Sequence, residues 1–159
     1  MTIKVKTGSE STILSVGAYR PSRLVPNSEI VDLIDSSDEW IIQRTGIESR
    51  RFAGEDESVV DMAIGAAEQA LSRAKLAITD VDAVVVATIT YPHQAPSAAT
   101  AVIQRMGHPT AAAFDISAAC AGFCYGVAMA HDFVRAGSAK KVLVIGVEKI
   151  TDFTDPTDR

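Results

Sequence analysis

The sequence predicts an α/β fold with a mostly parallel sheet, and three observations support this class. Two continuous apolar runs rich in β-branched residues, 83–88 and 142–147, are typical of strands covered on both faces. Helical patterns alternate with such runs along the chain, as in strand–helix–strand units. An apolar strand at 111–116 leads directly into an Ala/Gly-rich stretch at 118–136, which predicts a buried central helix capped by Gly137.

Capping residues and the spacing of apolar residues predict the other elements. They are a strand over 11–19, short helices over 29–34 and 37–45, and longer helices over 58–74 and 97–106. The second short helix is expected to open at Ser36 or Ser37, with Glu39 placed for a capping box. Residues 48–51 are expected to form a charged link and residues 151–159 polar turns. Residues 1–10 are expected to be a flexible arm.

Composition argues for a soluble protein without a nucleic-acid partner. Hydrophobic residues make up 47% of the 159 residues, which is more than one domain of this size is expected to bury. The net charge of −5 argues against nucleic acid. The longest mainly apolar run, 116–130, is shorter than a membrane span, and the N-terminus lacks a signal-peptide pattern. We therefore expect a cytoplasmic protein with reduced thiols and no membrane association.

Cys120 falls in the first turn of the helix predicted after the strand at 111–116. Unpaired backbone N–H groups and the positive end of the helix dipole favour a thiolate there, which is the nucleophile of covalent acyl transfer. The plainer alternative is a small buried hydrophobe, since most free cysteines are inert, and spacing alone favours that alternative. Cys124, one turn further on, is expected to serve in packing.

Trp40 and Arg44 lie four residues apart on a short predicted helix. An ordinary surface cation–π pair is the favoured interpretation of their spacing. The functional alternative is a stacking platform for an adenine base beside a guanidinium that binds phosphate. Arg50 with Arg51 is expected to be part of a solvated face, and Arg159 would ordinarily be a frayed terminus.

No metal site is predicted. His93, His108 and His131 show no spacing to the two cysteines, Cys120 and Cys124, that would form a ligand set.

Several separate stretches together resemble the β-ketoacyl-acyl-carrier-protein synthase III family of condensing enzymes. They stand in the family's order and spacing: SDEWI at 37–41, RTGI at 44–47, the arginines at 50–51, PSAA at 96–99, AACAGF at 118–123 and DPTDR at 155–159. The resemblance implies a thiolase-like layered fold in which residues 11–159 form the first of two similar halves. It also implies that Cys120 is the catalytic nucleophile. CoA-binding positions are implied at Ser36, Trp40, Arg44, Thr45 and Arg159.

The resemblance further implies an initiating enzyme of type II fatty acid synthesis. An acyl-CoA primer, which is a substrate, acylates Cys120, and no cofactor is expected. Malonyl-acyl-carrier protein then condenses with the acyl group to give 3-oxoacyl-acyl-carrier protein. The family enzyme is a homodimer whose catalytic His and Asn lie in its second half, outside these residues. Residues 1–159 alone are therefore not expected to complete the reaction.

Gln94 and Ala95 lie in a loop that, in the family, reaches toward the acyl pocket of the dimer partner. Ala95 stands where some relatives carry a bulky aromatic residue, which predicts room for a branched or longer primer. Two alternatives stay open. One is a related thiolase-fold acyltransferase of secondary metabolism. The other is an inactive fragment with a role in folding or dimerisation.

Overall fold

The computed structural model describes residues 10–158, so most of the predicted N-terminal arm and Arg159 lie outside the described residues. The chain forms two compact units. Of the described residues, the larger unit comprises 10–19 and Val59–Glu148, and the smaller comprises Arg20–Ser58 and 149–158. The strands and α-helices of the described residues are β1 (Arg23–Pro26), α1 (Asp38–Thr45), β2 (Ser49–Phe52), α2 (Val59–Ala74), β3 (Ala83–Ala87), α3 (Ala98–Arg105), β4 (Ala112–Ile116), α4 (Gly122–Ala136) and β5 (Val142–Gly146).

A parallel three-stranded sheet is the centre of the larger unit, and its strand order is β4-β3-β5. Every residue of β3 is buried, because strands flank it on both sides and helices cover both faces. The predicted parallel sheet is thereby confirmed. In β5 only Ile145 is buried, so the prediction of a fully buried strand is wrong for this edge position.

Helices cover the two faces of the sheet unequally. Val84 and Val86 of β3 belong to the main apolar core with α2 and α3. Val85 points to the opposite face, where α4 packs against the sheet. The predicted helices over 58–74 and 97–106 are confirmed as α2 and α3, and the Ser97 hydroxyl caps α3 by accepting from the Thr100 amide at 3.1 Å.

The helix after β4 begins later than predicted and is largely exposed. Residues 119–121 form a 3-10 turn, and α4 starts at Gly122 and ends at Gly137, whose φ of 76° is the expected left-handed cap. Only Gly122 and Gly126 of α4 are buried, while Phe123 is 51% exposed. Within residues 10–158, α4 is therefore not the buried helix that was predicted, although it packs on the sheet through its two glycines and through Phe133, whose ring meets that of Phe114 edge-on at 6.1 Å.

Residues 11–19 form no strand, contrary to the prediction from their apolar alternation. The segment instead lies along α2. A Cβ on Gly17 would collide with the Ala66 carbonyl oxygen, and the Ser15 hydroxyl donates to the Ala70 carbonyl at 2.7 Å. Contacts with a helix thus replace the strand pairing that the alternation suggested.

In the smaller unit, β1 and β2 pair antiparallel, with Arg23 opposite Phe52 and Pro26 opposite Ser49. The charged link predicted over 48–51 is therefore mostly strand. The short helix predicted over 29–34 is also wrong. A 3-10 turn spans Asn27–Glu29 and hydrogen-bonded turns follow it at 30–35, so the helix that Asn27 or Ser28 was expected to cap does not form.

A buried asparagine joins the elements of the smaller unit. Asn27 is 1% exposed, and its Nδ2 donates to Asp38 Oδ1 at 2.6 Å and to the Ile47 carbonyl at 2.8 Å. Its Oδ1 accepts from Arg50 Nη2 at 2.7 Å. Each polar atom of this amide is therefore paired, which offsets the cost of its burial.

Asp82 fixes the amino edge of the sheet and makes folding stability depend on pH. Its Oδ2 accepts from the backbone N–H groups of Lys140 and Lys141 at 2.7 and 2.9 Å. These hydrogen bonds, that of Lys141 first, lower the pKa of Asp82 below its ordinary 3.8. The ionised carboxylate therefore stabilises the fold above pH 3.8, and this contribution is lost as the pH falls through the lowered pKa.

Asp82→Asn is accordingly expected to lower the thermal midpoint by a few degrees at neutral pH. The difference from wild type should shrink as the pH falls below 3.8, because the wild-type carboxyl is then becoming protonated too. Melting curves of both proteins across this range measure the effect. A difference that stays constant down to the lowest pH would contradict the role of the charge.

Candidate active site

Cys120 lies at the carboxyl edge of the parallel sheet, where α/β proteins commonly hold their functional groups. β4 ends at Ile116, and the 3-10 turn Ala119–Ala121 carries the cysteine before α4 begins. Ala119 has a φ of 45°, a left-handed conformation that alanine seldom adopts. The chain therefore reverses sharply just before Cys120.

The Cys120 thiol is free and exposed on this turn. It precedes the α-helix proper by two residues instead of lying in the first α-helical turn, which corrects the sequence prediction. Cys124 is also free and exposed, so the packing role predicted for it is not seen in this chain. Among residues 10–158, no group of three His, Cys, Asp or Glu side chains could hold a metal ion.

The loop between β3 and α3, residues 88–97, reaches the same edge of the sheet. Its first residue, Thr88, donates its backbone N–H to the Ile116 carbonyl at the end of β4, at 3.2 Å. Gln94 and Ala95, the predicted acyl-pocket residues, are exposed in this loop. The structure thus brings the loop and the turn that carries Cys120 to one edge.

Two carboxylates that the sequence analysis did not single out anchor this loop. Glu148, just after β5, accepts from the backbone N–H groups of Ile89 and Thr90 at 3.0 and 3.1 Å. Asp115 of β4 accepts from the first two N–H groups of α3, those of Ala98 and Ala99, at 2.7 and 2.8 Å. The sequence offers one signal for both carboxylates: each lies at or just beyond the C-terminal end of a predicted strand, 111–116 for Asp115 and 142–147 for Glu148.

In the smaller unit, α1 carries the candidate CoA-binding pair. Ser37 caps the helix by accepting from the Trp40 backbone N–H at 3.2 Å, and the helix ends at Gly46, with a φ of 70°. Because Ser37 is the cap, Trp40 occupies the third helical position and the capping box predicted with Glu39 does not form. Trp40 is 45% exposed, and Arg44 Cζ lies 5.7 Å from its ring centroid.

The other candidates near α1 differ in their hydrogen bonding. The Thr45 hydroxyl donates to the Ile41 carbonyl at 2.7 Å and accepts from the Ile47 N–H at 3.0 Å, so it helps to close the helix. Ser36 Oγ is buried and has no hydrogen-bond partner among residues 10–158. Arg159 lies outside the described residues. Cys120, Gln94 and Ala95 belong to the larger unit, and the described CoA-binding candidates, Ser36, Trp40, Arg44 and Thr45, belong to the smaller.

The fold is that of the thiolase-fold condensing enzymes. The priming β-ketosynthase of the R1128 polyketide pathway matches with a TM-score of 0.89 and 44% identity, over 92% of this chain and 44% of that one. The 3-oxoacyl-[acyl-carrier-protein] synthase III of Aquifex aeolicus VF5 matches with a TM-score of 0.89 and 41% identity, over 96% of this chain and 48% of that one. The similarity to both extends over nearly all of this chain.

Sequence comparison identifies the family. The family model for 3-oxoacyl-[acyl-carrier-protein] synthase III matches residues 114–159, which include Cys120. The β-ketoacyl-[acyl-carrier-protein] synthase III of Kocuria rhizophila is 49% identical over 151 residues, or 95% of this chain. The chain belongs to this family and spans 42% of the length of that relative. None of the helices within residues 10–158 is long and apolar enough to cross a membrane.

Proposed function

We propose that the protein is an initiating condensing enzyme of type II fatty acid synthesis, with Cys120 as its acyl-carrying nucleophile. The observation that carries this proposal is the exposed Cys120 thiol on a sharp turn at the carboxyl edge of the sheet. Relatives at about half identity over almost the whole chain are named β-ketoacyl-[acyl-carrier-protein] synthase III, which supports the same activity.

In the first stage, the Cys120 thiolate attacks the carbonyl carbon of an acyl-CoA thioester. A bond forms between Sγ and this carbon, and the carbonyl electrons move to oxygen. Backbone N–H groups, including that of Cys120, stabilise this oxyanion. When the intermediate collapses, the bond to CoA breaks, the CoA thiolate leaves and takes up a proton, and the acyl group stays on Cys120.

In the second stage, malonyl-acyl-carrier protein loses CO₂ and becomes an enolate. The enolate carbon attacks the acyl carbonyl on Cys120, the thiolate leaves, and 3-oxoacyl-acyl-carrier protein is released. In the family a His and an Asn beyond these residues stabilise the enolate, so the described residues supply the nucleophile but not the complete chemistry. We propose a cytoplasmic homodimer that needs no resident cofactor.

Trp40 and Arg44 are proposed to bind the adenine region of CoA. Arg44 already lies over the indole ring, so a base and a phosphate would meet an aromatic surface beside a fixed positive charge. Trp40→Ala and Arg44→Gln are each expected to raise KM for acyl-CoA about tenfold, because a base stack or a charged phosphate contact is lost. KM for acyl-pantetheine, which lacks the nucleotide, should stay unchanged.

A second arginine–aromatic pair provides a matched control for this prediction. In the smaller unit, Arg23 Cζ lies 5.8 Å from the Phe52 ring centroid and pairs with Glu29 at 3.1 Å. Arg23→Gln removes a similar exposed pair but should leave both KM values unchanged. Equal increases in KM for acyl-CoA and acyl-pantetheine in Trp40→Ala would contradict the assignment of this helix to the nucleotide.

The proposed function is tested by incubating the full-length protein with malonyl-acyl-carrier protein and a series of acyl-CoA primers. Product mass should show 3-oxoacyl-acyl-carrier protein. The small, exposed Ala95 predicts that branched or longer primers are accepted, so a strict preference for acetyl-CoA would contradict that part. The 44% identity to a priming polyketide synthase favours secondary metabolism as the second candidate. Turnover only with a different extender or acceptor would support this alternative.

A further inference from the structure

We propose that Glu148 and Asp115 are positioning residues that fix both ends of the loop at residues 88–97, and thereby determine which acyl groups Cys120 accepts. This inference rests on the proposed function, because it assigns a specificity role at the same site. It concerns residues that act through the loop and not on the substrate itself.

Glu148 holds the start of the loop. β3 and β5 end side by side, with Ala87 opposite Gly146, so the chain after β5 emerges next to the chain after β3. The Glu148 carboxylate accepts from both the N–H and the hydroxyl of Thr90, at 3.1 and 2.6 Å, and from the N–H of Ile89 at 3.0 Å. One charged side chain therefore satisfies several donors of consecutive loop residues.

Asp115 holds the end of the loop. It lies opposite Val86 in the sheet and points to the face that carries α3. Its two oxygens accept separately from the N–H groups of Ala98 and Ala99, the first two residues of α3. An acidic group at a helix N-terminus is favoured both by these unpaired donors and by the helix dipole. α3 is therefore tied to β4, the strand that leads to Cys120.

Gln94 and Ala95 lie between these two anchors and are exposed. In the proposed homodimer this loop reaches toward the acyl pocket of the dimer partner. A loop anchored at both ends holds these two side chains in a restricted set of positions. Acyl groups of different length or branching are then distinguished by how well they fit the surface that these side chains form. Loss of an anchor should therefore weaken discrimination between acyl groups more than it slows acylation itself.

Glu148→Gln and Asp115→Asn test the inference, because each keeps the shape of the side chain but replaces one acceptor oxygen with a donor that would face N–H groups. Asp82→Asn is the matched control. Asp82 also accepts two backbone N–H bonds, but at the amino edge of the sheet, away from the loop. All three variants are made in the full-length protein.

The measured quantity is the ratio of Cys120 acylation rates for a good and a poor acyl-CoA. We expect this ratio to fall about fivefold in Glu148→Gln and Asp115→Asn, the size expected for one net hydrogen bond. It should stay at the wild-type value in Asp82→Asn, despite the lowered thermal midpoint of that variant. Amide hydrogen exchange at Ile89 and Thr90 should accelerate in Glu148→Gln only, which reports on the anchor independently of activity.

Unchanged ratios in both loop variants, an equal fall in Asp82→Asn, or wild-type exchange rates at Ile89 and Thr90 in Glu148→Gln would each overturn the positioning role. A wild-type protein that forms no adduct at Cys120 would instead refute the proposed function, and with it the claim about selectivity. The two failures are therefore distinguishable.

Discussion

Cys120→Ser is expected to abolish the acyl adduct that the wild-type protein forms with acyl-CoA. A serine hydroxyl is not ionised at neutral pH and, without an adjacent base, is a far weaker nucleophile than a thiolate. Intact mass after incubation should show one acyl group on the wild-type protein and none on the variant. We expect the acylation rate to fall by about a thousandfold or more.

Cys124 provides the matched control, because it is a second free and exposed thiol only four residues away. Cys124→Ser should keep the full adduct, since its thiol lies within α4 and not on the turn at the sheet edge. If the adduct survives in Cys120→Ser and disappears in Cys124→Ser, the nucleophile is Cys124 and the proposed mechanism is wrong. Equal loss in both variants would indicate non-selective modification of exposed thiols.

The parts of the fold that the sequence predicted correctly are those whose signals are local. β3 is a continuous run of alanine and valine and is buried throughout. α2 and α3 follow serines and show helical spacing, and their predicted bounds agree with the structure to within one or two residues. In such elements the apolar residues themselves are buried, so the amino-acid composition of the segment and the spacing of its apolar residues suffice to identify the element.

The wrong predictions concern segments whose structure depends on distant partners. Residues 11–19 alternate like a strand but pack along α2, while β2 is rich in arginine and still pairs with β1. α4 looked buried because it is apolar almost all round, yet within residues 10–158 only its two glycines are buried, and Phe123 is 51% exposed. The sequence shows how many apolar residues the helix carries. It does not show which of them the other elements of this chain bury.

The candidate site was less accessible to physical reasoning from the residues than the fold. Spacing alone favoured an inert Cys120, and only its combination with the motifs at Trp40–Arg44 and 155–159 led to its prediction as a nucleophile. Glu148 passed unnoticed because an acidic residue after a strand resembles any solvated side chain. Its hydrogen bonds to the 88–97 loop become visible only when β3 and β5 are placed side by side.

Gly126→Leu is expected to destabilise the larger unit strongly. A Cβ at Gly126 would lie 2.8 Å from Val144 Cγ1, and 3.5 and 3.8 Å from Ile116 Cδ1 and Val85 Cγ1, so the residue sits against all three strands. A leucine must push α4 away from the sheet, which costs about 3 kcal/mol of the free energy of unfolding. This cost exceeds the gain of roughly 1 kcal/mol that a leucine has over a glycine in helix propensity. Urea unfolding curves measure the difference.

Ala128→Leu separates packing from helix propensity, because Ala128 lies on the exposed side of the same helix, two residues further on. Its unfolding midpoint should stay close to that of the wild type. The α4 helix also carries the turn with Cys120 at its amino end, so a displaced helix should slow acylation in any Gly126→Leu protein that still folds. Equal midpoints for the two variants would show that α4 is not held against the sheet through Gly126, and that the position of Cys120 is fixed in another way.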